Sequence, residues 1–112
     1  MKGDRAYLLH IRDSIDRIRG YTSGGKNDFL RDPKTQDAVI RNLEIIGEAA
    51  KRPSDTVRRQ DPKVRWKQVS GMRDKLIHDY FGVNLELVWD TVERELPQLG
   101  SAVERALQST TE

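Results

Sequence analysis

The side chains whose types and spacing could do chemistry stand in one short run, "RDKLIHDYF", from Arg73 to Phe81. Histidine exchanges a proton near neutral pH, because its ordinary pKa is about 6.5. A guanidinium grips two oxyanion oxygens at once through its planar fork, which lysine cannot do. Arg73 and His78 therefore offer acid–base work beside an anion clamp, with the phenol of Tyr80 close behind in sequence. The plain alternative is that all three are ordinary side chains of an amphipathic helix.

On a helical wheel at about 100° per residue, Val69, Met72, Leu76 and Tyr80 fall together and define the core-facing side. Arg73 lies inside that apolar face. A buried charge without its partner costs about 3 to 5 kcal/mol, so an arginine there must be paired or sit where the helix leaves the core. His78 falls about 140° around the wheel from Arg73, so one straight helix does not aim both groups at one atom. The obstacle eases if the helix ends near Gly82 or if the arginine bends. A two-fold dimer also removes it, by setting two arginines and two histidines around one groove.

Other constellations are weaker. His10 has Asp13 three residues on, but a metal centre needs more ligands, and the chain holds two histidines and no cysteine. Asp37, Arg41, Glu44 and Glu48 share a helix face, where charges three and four apart usually pair with each other in water. No E-x-x-H pair, glycine-rich phosphate loop or G-x-S-x-G nucleophile turn occurs. Trp66 and Trp89 read as core or interface anchors. Neither a metal nor a cofactor is implied.

The elements that must position the run are helices. Leu8, Ile11, Ile15 and Ile18 recur at steps of three and four from Asp4 to Arg19, with Asp4 as cap and Gly20 as stop. "YTSGGKNDFLRDP" reads as a connection with one helical turn around Asn27 to Leu30. A second long helix, from Pro33 or Lys34 to Arg52, carries Val39, Leu43, Ile46 and Ala50, and Pro53 stops it. "SDTVRRQDP" reads as a short helix or turn capped by Ser54. The third long helix spans Trp66 to about Gly82. Asn84 caps the fourth, whose Leu85, Val88, Trp89 and Val92 face inward, and Pro97 is expected to interrupt or restart it. The stripe Leu99, Val103 and Leu107 then fades into a tail. Strand signals are nearly absent.

These elements predict an all-α fold, an antiparallel up-and-down bundle of four main helices with short extra turns. Residues 1–108 form its single domain and 109–112 a frayed end. A chain of 112 residues supports one core and a thin stability margin, which favours hiding surface in a homodimer. A formal charge of +2 does not by itself point to nucleic acid. "MKGDRAYLLH" lacks the apolar centre of a signal peptide, no apolar run is long enough for a membrane, and the absence of cysteine suits a reducing compartment. The expectation is a cytoplasmic protein.

"GMRDKLIHDYFGV" resembles the motif of the HepT-like toxins of the HEPN superfamily: an arginine, four residues, a histidine, one residue and a tyrosine. "QDAVIRNLEIIGEAAKR" and "LELVWDTVERELPQL" resemble that family as well, so the likeness covers nearly the whole chain. It implies a small all-helical homodimer that cleaves RNA as the toxin of a toxin–antitoxin pair, and the residue types and lack of metal ligands lead us to expect that cleavage needs no metal. It assigns Arg73 and His78 to catalysis, Asp74 to support, and Tyr80 to acceptance of AMP from a cognate MntA-like minimal nucleotidyltransferase. Lys75, Arg41 and Arg65 are the basic residues near enough in sequence, or on a neighbouring helix, to meet the RNA backbone. The competing reading is a non-catalytic helical module in which Arg73, His78 and Tyr80 dock the nucleotidyltransferase.

Overall fold

The computed structural model describes residues 3–52, 55–61, 64–71 and 84–109. Every regular element among them is helical. The first helix, α1 (Asp4–Tyr21), buries Leu8, Ile11, Ile15 and Ile18 in one stripe. Its start departs from expectation, because Asp4 is already helical and buried, and Gly3 holds the capping position at φ 97°. Only glycine adopts that left-handed turn without strain. Gly20 does not stop the helix either. The hydroxyl of Thr22 donates to the Ile18 carbonyl at 2.7 Å and its N–H donates to the same oxygen at 2.9 Å, which closes the last turn beyond Gly20.

The predicted helical turn is α2 (Lys26–Arg31), whose Phe29 is fully buried against Trp89 with ring centroids 5.5 Å apart. It leads into α3 (Pro33–Ala49) through a cap that the sequence did not single out. Asp32 accepts from the Lys34 N–H at 3.1 Å and from the Thr35 hydroxyl at 2.8 Å, with Pro33 at the first helical position. Proline loses nothing there, since the N–H it lacks has no partner inside the helix. The helix ends at Ala49 rather than Arg52, because Lys51 and Arg52 bond three residues back, to Glu48 and Ala49, in tighter turns. Pro53 and Ser54 lie outside the described residues.

Next comes α4 (Asp55–Gln60), tied to α3 by Arg58, which donates to the Ala50 carbonyl at 2.9 Å. Residues 66–71, called α5, are helical from Trp66 as expected and bury Trp66 and Val69. Then α6 (Leu85–Asp90), a π-helical turn (Thr91–Glu95) and α7 (Leu96–Ser109) follow without a break. Pro97 therefore neither interrupts nor restarts the helix. A proline inside a helix lacks the N–H for residue i−4 and its ring clashes with that carbonyl. Widening the turn before it, with the Leu96 N–H reaching back to Thr91, accommodates the ring while the rod continues.

The core lies where α1 packs between α3 and α7. Arg5 meets the Leu107 carbonyl at 3.4 Å, whereas Arg19 lies over Gly100, so α1 and α7 run antiparallel. The C-terminal end of α7, beside Arg5, is also tied to the end of α4 by the paired nitrogens of Arg105 on Asp61 and by the contact of Gln60 with the Ser109 hydroxyl at 3.3 Å. The carboxylate of Asp61 raises the pKa of Arg105 through that hydrogen bond. Val39, Leu43 and Ile46 of α3 and Leu99, Val103 and Leu107 of α7 complete the apolar interior.

The Thr35 hydroxyl, followed by the backbone N–H groups, holds the Asp32 carboxyl below its ordinary pKa. A depressed pKa contributes stability above the unfolded value, about 3.9, and loses it as pH falls through the folded one. Asp32→Ala is therefore expected to melt below wild type at neutral pH, with the gap narrowing as pH drops under about 4. Thermal unfolding of both proteins across pH 2.5–7 checks this, and a gap that widens on acidification would contradict the cap.

Candidate functional site

The motif residues Arg73, Asp74, Lys75, His78 and Tyr80 lie outside the described residues, and so do Met72 and Leu76 of the expected apolar face. The described chain fixes both edges of the segment. On the upstream edge, Trp66 and Val69 of α5 are buried, which pins that helix to the core up to Gly71. On the downstream edge Asn84 caps α6 as expected. Its side-chain oxygen accepts from the Leu87 N–H at 3.2 Å while its backbone stays extended, with φ −83° and ψ 102°.

The first turns of α6 are held firmly. Lys26 of α2 pairs with Glu86 at 2.6 Å, and that bond is the main cause of a raised lysine pKa. Both side chains are largely exposed, so the pair locates α2 against α6 more than it stabilises. Val88 and Trp89 are buried, and Leu85 and Val92 pack against the core edge. The Trp89 indole N–H donates to Glu93 at 3.3 Å, across the junction with the π turn. Both tryptophans are thus core anchors. Leu87, one turn past the motif, remains 44% exposed.

Of the basic residues expected to meet RNA, Lys75 lies outside the described residues, and Arg41 and Arg65 line different grooves. Arg41 sits in a groove of about 340 Å³ between α1 and α3, with Tyr7, His10, Glu44, Glu48 and Arg52. It faces Glu44 at 3.8 Å, and Glu48 faces Lys51 at 3.6 Å, so that helix face pairs with itself as its spacing predicted. Arg65 lines a separate groove of about 230 Å³ between the start of α5 and the π turn, together with Arg94, Glu95 and Gln98. Sequence reading missed Arg94. Its only signal was Pro97 three residues on, which marks where the helix must change pitch. Among the described residues, no three acidic or histidine side chains are arranged to hold a metal ion.

With the helices and these grooves in place, comparison with known proteins settles the lineage. A model of the family described as "Ribonuclease HepT-like" matches residues 11–106. The chain belongs to the HepT-like ribonuclease family. It is 45% identical over 112 residues to a candidate RNase of Caldanaerobacter subterraneus subsp. tengcongensis, covering 96% of this chain and 97% of that protein. It is 43% identical over 105 residues to "Probable ribonuclease HepT" of Thermococcus cleftensis, covering 93% and 96%. A candidate RNase of Methanocaldococcus jannaschii is 47% identical over 98 residues, covering 86% and 80%. No solved structure matches. The HepT-like match spans both edges of the motif, Gly71 and Asn84, all of the groove that Arg65 and Arg94 line, and the Arg41 groove apart from Tyr7 and His10.

Loss of the cap at the downstream edge should cost this HepT-like chain stability where the motif joins α6. Asn84→Ala is expected to destabilise by about 1 kcal/mol in urea unfolding, the usual cost of removing an N-cap acceptor. Exchange of the Leu87 amide should accelerate in the variant, and an unchanged amide with unchanged stability would show that the cap holds nothing.

Proposed function

We propose that this protein is a metal-independent endoribonuclease and the toxin of a toxin–antitoxin pair, working as a cytoplasmic homodimer built from one helical domain over residues 1–108. The observation that carries the reading is the family match across residues 11–106, an interval that contains Arg73, His78 and Tyr80 at the motif spacing. The RNase names of relatives that align over most of the chain support it. No helix among the described residues is long and apolar enough to cross a membrane.

In this reading the RNA supplies its own nucleophile. His78 takes the proton from a 2′-hydroxyl, the 2′-oxygen bonds to phosphorus, and the bond from phosphorus to the 5′-oxygen breaks. Arg73 holds the oxygens that gain charge in the transition state, with Asp74 supporting it. The products are a 2′,3′-cyclic phosphate and a 5′-hydroxyl, and the 5′-oxygen receives a proton as it leaves. Two chains would bring their Arg73 and His78 to one groove, which removes the 140° conflict of a single helix at about 100° per residue. Lys75, Arg41 and Arg65 are candidate backbone contacts, indifferent to base sequence. Arg41 already faces Glu44, which makes it a weaker candidate than Arg65.

Control would act through Tyr80. Transfer of AMP from ATP by an MntA-like nucleotidyltransferase joins the phenol oxygen to the α-phosphorus and releases pyrophosphate. The added phosphodiester charge repels substrate phosphates and the nucleoside fills their space.

Purified wild type in excess EDTA should cut RNA to leave cyclic phosphate ends. Arg73→Ala and His78→Ala should each lose about 10²-fold or more, the usual scale of an acid–base or oxyanion contribution. Mixed and refolded together, the two variants should recover part of the activity in heterodimers. A 3′-hydroxyl end, or sensitivity to EDTA, would reject the mechanism, and no recovery on mixing would reject the shared groove. A chain that binds the nucleotidyltransferase but leaves RNA intact would be a docking module.

Intact mass tests the control step separately. Incubation with the cognate nucleotidyltransferase and ATP should add AMP to wild type and none to Tyr80→Phe, and equal labelling of both would place the acceptor elsewhere.

A further inference from the structure

Among the described residues most arginines already have partners. Arg12, Arg19, Arg41 and Arg105 face carboxylates, while Arg5, Arg31 and Arg58 donate to main-chain carbonyls. Arg65 and Arg94 are exposed, do neither, and line the same groove. One guanidinium comes from the residue preceding α5 and the other from the π turn, so two separate segments direct positive charge to one place. Val69 and Leu99, both buried, anchor its walls. Among the described residues, Glu95 is the one carboxylate lining the groove, against the two guanidiniums.

Two unpaired guanidiniums beside a single carboxylate favour an anion with several acceptor oxygens, and planar forks suit phosphate above other anions. The π turn contributes to this placement. One extra residue in a helical turn rotates the facing of the later residues by about 100°, so the same accommodation that admits Pro97 sets how Gln98 and Leu99 meet the groove that Arg94 and Glu95 line from within the turn. The groove also adjoins the approach to the motif, since α5 runs from Trp66 to Gly71 and Arg73 stands two residues further along the sequence.

Resting on the ribonuclease reading, we propose that Arg65 and Arg94 form a phosphate-holding subsite for the RNA strand outside the Arg73–His78 site, with Glu95 tempering its charge. The subsite binds the backbone and takes no part in bond cleavage. Its contribution is to KM, through contacts equal in ground and transition states.

The test uses the full chain and a single-stranded RNA oligonucleotide carrying 2′-O-methyl groups throughout, which cannot be cleaved, with binding followed by fluorescence anisotropy across a salt series. Arg65→Gln and Arg94→Gln should each weaken binding about three- to tenfold at low salt and lower the log–log salt slope by about 0.7, the value for one phosphate contact on a single strand. Glu95→Gln should tighten binding about two- to fivefold, an effect that a merely structural residue would not produce. Arg59→Gln, an exposed arginine outside the groove, should match wild type. On cleavable RNA the two arginine variants should raise KM and leave kcat within about twofold. An Arg94→Gln protein that behaves like Arg59→Gln, or a Glu95→Gln protein that binds more weakly, overturns the subsite. Wild type that binds the oligonucleotide with these variant effects but cuts nothing would sink the ribonuclease reading and leave the subsite standing.

Discussion

The apolar stripe of α1 leaves water on two sides at once, against α3 on one flank and α7 on the other, and the other helices take their places around it. Leu8, Ile11, Ile15 and Ile18 are at most 1% exposed. Fully burying such a side chain is worth about 1.5 to 3 kcal/mol, so four of them contribute roughly 6 to 12 kcal/mol, as large as the whole net stability of a typical domain. The centre also carries polar cost. Among the described residues, the Ser14 hydroxyl and the Asn42 side-chain oxygen are buried without a hydrogen-bond partner, although the Asn42 amide donates to the Ala38 carbonyl at 2.9 Å. An unsatisfied buried group costs about 1 to 3 kcal/mol, so the stripe must outweigh these as well.

From that centre the peripheral elements are fixed by single anchors. Phe29 fastens the six-residue α2, too short to hold helical form alone, by burying its ring against Trp89. Asp61 and Arg105 fasten the end of α4 to α7. Trp66 and Val69 fasten α5. The first two anchors pair residues far apart in sequence, and together the three bring the two edges of the motif segment onto one body.

The π turn joins architecture to function. It lets a proline stand inside a long helix, and the groove it borders collects Arg94 and Arg65 from opposite sides. In the proposed reading, the groove would hold the RNA backbone beyond the reacting groups, with contacts indifferent to base sequence.

The sequence by itself determined the helical class, the buried stripes of α1, α3 and α7, the Asn84 cap and the family, because periodicity, capping chemistry and motif spacing are local properties of the chain, and it left both tryptophans as core or interface anchors. It also held the motif Arg73, His78 and Tyr80, whose residue types state what chemistry is available but not what surrounds them. Helix ends at Asp4, Gly20 and Arg52 were read one to three residues off, since the left-handed Gly3 decides the first, the bonds of Thr22 to Ile18 the second, and the three-residue bonds of Lys51 and Arg52 the third. Passage of the helix through Pro97 and the meeting of Arg65 with Arg94 were decided by the tertiary structure alone. Both depend on how helices distant in sequence press together around α1, and pairwise packing of that kind leaves no periodic trace in either segment.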